Sequence, residues 1–231
     1  MNIFVSFEGI DLSGKSTQVA LLEKLLRRRG RRVTTTREPG GTALGESVRE
    51  LLLHREHVHE WAEAALFAAA RAQLVYETIR PALDRGEDVI SDRFVDSSLA
   101  YQGFGRGLGF DRIMEMNHAA LGDLLPDITF VLLIQPEAAS ARMSVQLKLI
   151  TAPDEPLDIG PPDRIEREAM DFKRRVDDGY RLLVKRFPDR LIPLDATRKP
   201  AELANEVRRH VFELIETRQS LEAARGDIGV S

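Results

Sequence analysis

The sequence predicts an α/β fold in three layers, a five-stranded parallel sheet flanked by helices on both faces and topped by a small lid. Three observations carry this expectation. Short apolar runs alternate with longer helical patterns from end to end, and that alternation builds a parallel sheet whose two faces must both be covered. A glycine-containing stretch lies directly between the first apolar run and the first helical one. The chain of 231 residues, 43% hydrophobic and 30% charged, has the length and balance to bury one sizeable core.

The elements follow in order. Ile3–Phe7 is the first strand, and Lys15–Arg29 is a helix with Val19, Leu22, Leu25 and Leu26 on its inward face. Arg32–Thr36 reads as the second strand and Ala43–Leu53 as a helix. Glu60–Leu83 has apolar and small residues all round, which predicts one largely buried helix. Asp88–Ser91, Ile128–Ile134 and Leu191–Leu194 complete the strands, and Phe110–Leu121, Glu166–Arg186 and Pro200–Glu216 the helices. Residues 1–217 read as a single domain with a lid near 136–166. Within the lid, Thr151–Asp163 holds four prolines and four acids, the composition of a loop inserted between two helices. Residues 218–231 read as a fraying helix and a loose tail.

Composition narrows the function. A formal net charge of −4 argues against a general nucleic-acid-binding surface, and the absence of cysteine excludes disulfides and thiolate metal sites. The N-terminus lacks the pattern of a secretory signal, and no apolar run approaches the roughly 20 residues a membrane-spanning helix needs. A cytoplasmic protein with no membrane or nucleic-acid partner is expected.

The sharpest local signal is Gly9-Ile10-Asp11-Leu12-Ser13-Gly14-Lys15-Ser16, which satisfies G-x-x-x-x-G-K-[ST] between a strand and a helix. The chemistry needs these residue types. Gly9 and Gly14 allow backbone shapes that let successive amide N–H groups converge on phosphate oxygens, and the helix beginning near Lys15 adds its N-terminal dipole. Lys15 supplies a full charge for the β/γ-phosphates, the Ser16 hydroxyl suits Mg²⁺, and Thr17 can add a phosphate contact. The fold is thereby narrowed to the P-loop NTPase class. The N-K-x-D pattern that reads guanine is absent.

Further segments resemble one family in the expected order along the chain. These are FVSFEGIDLSGKSTQ at the start, Thr36-Arg37-Glu38-Pro39-Gly40-Gly41-Thr42, Leu66-Phe67-Ala68-Ala69-Ala70-Arg71, Asp92-Arg93-Phe94, the stretch Ser97–Gly103, Asp163-Arg164-Ile165-Glu166 and Asp195-Ala196-Thr197. Together they resemble thymidylate kinases over about residues 3–215. The resemblance implies phosphorylation of dTMP to dTDP with ATP as donor and Mg²⁺ as cofactor, by direct in-line transfer, in a homodimer. It implies that Arg37, Glu38, Pro39 and Arg93 serve the acceptor, with Arg93 near the transferred group, and that Asp11 bonds the acceptor's 3′-hydroxyl. By the same resemblance, Phe67 is expected to face the thymine ring, Arg71 to meet a base carbonyl, Ser98 and Gln102 to read the pyrimidine edge, and Tyr101 to crowd the sugar 2′ position. Asp92, at a strand end, joins Ser16 at the metal. Gly9, Ile10, Asp11, Leu12, Ser13, Gly14, Lys15, Ser16 and Thr17 are expected to cradle the donor phosphates, and the resemblance implies that Arg142 and Ala196 flank adenine.

The chain departs from the family at the lid. Leu12 occupies the cradle position where some relatives carry a basic residue, so the closing cations are Arg142, Lys148 and Arg164, with an acidic insertion before the last. Arg164 is the expected catalytic cation beside Lys15, Arg93 and Asp11. The alternatives are a kinase for another deoxynucleoside monophosphate, or a nucleotide-binding protein with a weakened lid.

Overall fold

The computed structural model describes residues 2–139, 141, 163–165 and 167–228. Its sheet is parallel throughout, with strands in the order β2–β3–β1–β4–β5. The central strand β1, Phe4–Glu8, pairs with β3, Asp88–Asp92, on one side and with β4, Ile128–Leu133, on the other. Each is buried along nearly its whole length, as strands covered on both faces must be, around an apolar centre. The edge strands β2, Val33–Arg37, and β5, Leu191–Asp195, bury only alternate stretches, which is why β2 can be built of three successive threonines.

Strand ends differ from the sequence reading in one consistent way. β1, β2, β3 and β5 each continue onto a polar residue, Glu8, Arg37, Asp92 and Asp195, beyond the last residue expected. Hydrogen bonding continues past the apolar run, so functional side chains sit on rigid strand ends at the sheet's carboxyl edge.

Helix α1, Lys15–Arg28, packs Leu22 and Leu26 into the core. Helix α2, Ala43–His54, is capped by the Thr42 hydroxyl, which accepts from Gly45 N at 2.9 Å. The helix expected over 60–83 is α3, Glu60–Leu74, a π-helical turn, Val75–Ile79, and α4, Arg80–Asp84. Pro81 has no N–H to give and its ring crowds the preceding turn, which the widened turn accommodates. The expected all-round burial is corrected: Ala64, Ala68, Arg71 and Leu74 face inward, whereas Trp61, Ala65, Ala69 and Tyr76 are exposed. Small residues are compatible with either face, so composition alone did not separate them.

After β3 come a short helix α5, Val95–Ser98, a π-helical segment, Leu99–Gly105, and α6, Phe110–Leu121. Helix α7, Met170–Arg186, starts four residues later than expected and lies against the π-helical segment. Contact there is close enough that a Cβ on Gly105 would come within 2.8 Å of the Phe172 ring. Helix α8 runs from Pro200 to Ile228, into the stretch read as a tail. Among the described residues, no helix is long and apolar enough to cross a membrane.

Candidate active site

The loop from Gly9 to Lys15 leaves β1 at its carboxyl end and turns into α1. Gly9 has φ +133°, and a Cβ there would stand 2.5 Å from the Leu132 carbonyl oxygen, so the loop presses against β4 where only glycine fits. Gly14, φ +99°, caps α1. The Lys15 ammonium donates to Ile10 O at 2.9 Å, inside the ring of backbone that phosphates would enter. Burial, and next the charge of Arg93, lower the Lys15 pKa to about 8. Ser13 Oγ is buried with no partner among the described residues, and Thr17 is exposed at the rim.

Ser16 Oγ donates to Asp92 Oδ2 at 2.7 Å, joining the start of α1 to the end of β3. An alcohol and a carboxylate at a phosphate cradle are hard oxygen donors of the kind Mg²⁺ takes beside phosphates, so the residues expected at the metal fit it.

Arg93 follows Asp92 with φ +73°, in the left-handed region, and its side chain bridges the two halves of the site. Nη1 donates to Gly9 O at 2.9 Å, Ser97 Oγ at 3.1 Å and Tyr180 OH at 3.3 Å. Nη2 donates to Asp11 Oδ1 at 2.5 Å and to Tyr101 OH at 3.3 Å. Burial disfavours charge on Asp11, but Arg93 and then Lys15 outweigh it and hold the carboxyl below the usual range. Beneath lies Glu8, fully buried, accepting from Phe94 N at 2.7 Å, Ser97 Oγ at 2.5 Å and Tyr180 OH at 2.9 Å. Burial, then the neighbouring Asp96 charge, push the Glu8 carboxyl up to about 7.

Beside Arg93 opens a cavity of about 140 Å³. Asp11, Glu38, Phe67, Arg71, Ser98 and Gln102 are among its walls, as are Pro39, Arg93 and Tyr101. Arg71 is entirely buried. Its Nε donates to both Glu38 oxygens at 3.0 Å, Nη2 to Glu38 Oε2 at 2.5 Å and Phe94 O at 3.3 Å, and Nη1 to Asn117. Arg37 stands apart at the exposed rim, where its Nη2 donates to the two Glu46 carboxylate oxygens at 2.9 and 3.0 Å.

Arg164, expected to close over the cradle, stands between Asp163 and Ile165, which line the cavity. Its Nε donates to Leu52 O at 2.9 Å and its Nη2 to Glu63 Oε2 at 2.7 Å. Glu63 is nearly fully buried and also holds Arg106 and Gln102. On the donor side, a cleft is lined by Leu12, Gly14, Thr17, Ala196 and Arg198. The turn is fixed by Asp195 Oδ1, which accepts from Thr197 N at 3.0 Å and from its hydroxyl at 2.7 Å. Arg142, Lys148, Glu166 and the insertion up to residue 162 lie outside the described residues.

The structure thus brings Gly9 to Thr17, Asp92, Arg93 and Tyr101 to one sheet edge, with Glu38, Pro39, Phe67, Arg71, Ser98 and Gln102 around the adjoining cavity. Sequence reasoning missed Glu8, Glu63, Arg106, Asn117 and Tyr180. Two of these carried a signal: Glu8 is an acid ending an otherwise apolar strand, and Glu63 sits four residues before Phe67 on the stripe that leads to Arg71.

A parallel sheet with a phosphate cradle at its centre and a second, cation-lined cavity alongside defines a P-loop nucleotide phosphotransferase. The family model described as "Thymidylate kinase" matches residues 7–207. The chain is similar to a thymidylate kinase of Chlorobaculum tepidum, 46% identical over 89% of this chain and 94% of that one. It is likewise similar to one of Desulforudis audaxviator, 45% identical over 97% and 96%. The crystal structure of a thymidylate kinase from Ehrlichia chaffeensis superposes with a TM-score of 0.70 at 33% identity, covering 91% of this chain and 98% of that one. The chain belongs to the thymidylate kinase family.

Proposed function

We propose that the protein transfers the γ-phosphoryl group of ATP to the phosphate of dTMP, giving ADP and dTDP, as a cytoplasmic homodimer. The observation that carries this reading is Arg93, whose guanidinium is fastened to the cradle at Gly9 O and to Asp11 at the mouth of the second cavity. A cation so held lies where two polyanions must meet. Their charges have to be neutralised before an acceptor phosphate oxygen can approach the γ-phosphorus in line. The acceptor phosphate is already a nucleophile, so positioning and electrostatic stabilisation supply the catalysis and no strong general base is needed.

In this scheme Lys15 leaves the Ile10 carbonyl for the donor phosphates, and the backbone N–H groups of residues 9–17 cradle them. Ser16 and Asp92 would hold Mg²⁺, which when bound neutralises phosphate charge. Asp11 takes the acceptor's 3′-hydroxyl, Tyr101 fills the space of a 2′-hydroxyl, and Phe67 stacks on the base. Arg71 turns one edge of its guanidinium to a base carbonyl, its orientation kept by Glu38 and Asn117. Arg37 exchanges Glu46 for the acceptor phosphate, and Arg164 exchanges Glu63 for the transferring group. Ala196, with Arg142, flanks the adenine ring. The exposed face of Trp61, Ala65, Ala69 and Tyr76 supports pairing of two copies through α3.

A coupled ADP-release assay across the nucleoside monophosphates tests the reading. dTMP should be the preferred acceptor, and Lys15→Ala should lower its turnover on the order of a hundredfold or more, the effect of losing a transition-state cation. Preference for a purine or ribonucleotide acceptor, or no turnover of any, would overturn it.

A further inference from the structure

The acceptor cavity contains two buried polar atoms without partners among the described residues, Ser98 Oγ and Gln102 Oε1. Gln102 is 1% exposed, so an unused carbonyl oxygen there requires a reason. The reason lies at the other end of the same amide. Gln102 Nε2 donates to Glu63 Oε1 at 2.8 Å, and Glu63 is itself 1% exposed.

Glu63 also accepts from Arg106 Nε at 3.2 Å and Nη2 at 2.9 Å, and from Arg164 Nη2 at 2.7 Å. Burial works against its charge, but the hydrogen bonds from Arg106, Gln102 and Arg164 outweigh burial and hold its carboxyl below the usual range. An ionised carboxylate has lone pairs and no proton. The Gln102 amide must therefore turn its NH₂ toward Glu63 and its carbonyl the other way. The flipped amide would set two oxygens against each other at hydrogen-bond distance in a buried site, where repulsion is weakly screened.

We infer that Glu63 is a specificity-determining positioning residue: by locking the Gln102 amide it leaves a fixed hydrogen-bond acceptor for the acceptor base. That selects pyrimidines with a ring N–H, such as thymine and uracil, over cytosine, whose ring nitrogen has a lone pair. The inference rests on the reading of the cavity as the acceptor-nucleotide site. Thymine and uracil meet Gln102 Oε1 with a donor. Cytosine meets it with an acceptor, leaving two buried acceptors face to face, and a site built for a hydrogen bond rejects the analogue that cannot make it. Arg106 keeps Glu63 ionised when Arg164 turns away, and Arg106 also pairs with Glu168 at 2.5 Å, so the lock is tied to the chain after the insertion.

The experiment compares kcat/KM for dUMP and dCMP, which differ only at the base edge in question, in wild-type, Glu63→Gln and Glu63→Asp protein. A neutral amide at position 63 lets Gln102 turn either way. Glu63→Gln should then narrow the dUMP-to-dCMP ratio about tenfold or more, the effect of one buried unsatisfied polar group. Glu63→Asp keeps an ionised acceptor and should hold the ratio near wild type even if both rates fall. A parallel fall of both substrates in Glu63→Gln, with the ratio unchanged, overturns the inference and leaves Glu63 a structural residue. If Glu63→Gln does not fold, ¹⁵N NMR of wild-type protein decides. The Gln102 side-chain NH₂ should be protected from solvent exchange with and without dUMP, and an NH₂ that exchanges freely overturns the lock. Wild-type protein that prefers no pyrimidine over another instead overturns the reading of the cavity itself.

Discussion

Replacing Glu8 by glutamine tests the buried layer beneath Arg93. Burial and the Asp96 charge raise the Glu8 carboxyl from 4.5 to about 7, against the pull of Arg93. Between those two values the folded protein binds a proton that the unfolded chain has released, so stability falls as pH rises through that window. Each pH unit of the interval corresponds to about 1.4 kcal/mol, so the whole contribution is about 3 kcal/mol, present below pH 4.5 and gone above 7. Glutamine keeps the shape and cannot titrate. Urea denaturation of wild-type and Glu8→Gln protein from pH 5 to 8 should show the variant gaining on the wild type by most of that amount. The comparison cancels groups common to both proteins. Lys15, lowered to about 8, acts mainly above this window: between its folded and unfolded values the unfolded chain binds more protons, and stability rises with pH. A stability difference independent of pH from 5 to 8 would refute the reasoning, because it would mean that Glu8 is already ionised at pH 5 in the folded protein.

Gly9→Ala places a Cβ 2.5 Å from Leu132 O at a φ of +133°, so it should destabilise the fold by about 1–3 kcal/mol and abolish ATP binding, read by thermal melts with and without nucleotide. Arg164→Ala should lower kcat more than it raises the KM for dTMP, the signature of a contact strongest in the transition state; an unchanged kcat would leave Arg164 only as a brace for Glu63.

The sheet was legible because short apolar or β-branched runs alternate with longer helical patterns, and the cradle because its glycines and lysine have one spacing. The polar strand ends were less so. Glu8, Arg37, Asp92 and Asp195 break the apolar pattern while the backbone ladder continues, and a pattern of side chains does not report a pattern of amides. The π-helical segment Leu99–Gly105 was invisible for a related reason: its widened turn departs from the 3.6-residue period that identifies helices. At the acceptor site, Phe67, Arg71, Ser98 and Gln102 were found as single residues. The partners that orient Arg71 and Gln102, Asn117 and Glu63, are brought to them only when α3 packs against α6 and against the π-helical segment.

The left-handed backbone of Arg93 has a consequence for how the site meets its ligands. A non-glycine residue in that region costs on the order of 1–3 kcal/mol and persists only where its surroundings over-determine it. Here the Arg93 N–H donates to Phe7 O at 2.9 Å, and five side-chain contacts anchor the guanidinium. The rotamer freedom of a long cationic side chain, about 2 kcal/mol, is therefore lost when the protein folds rather than each time a phosphate arrives. Reorganisation, which slows charge transfer in water, is small where the responding charge already stands still. An incoming phosphate must come to the guanidinium, and molecules of the wrong length are refused by geometry before any weakness of attraction comes into play.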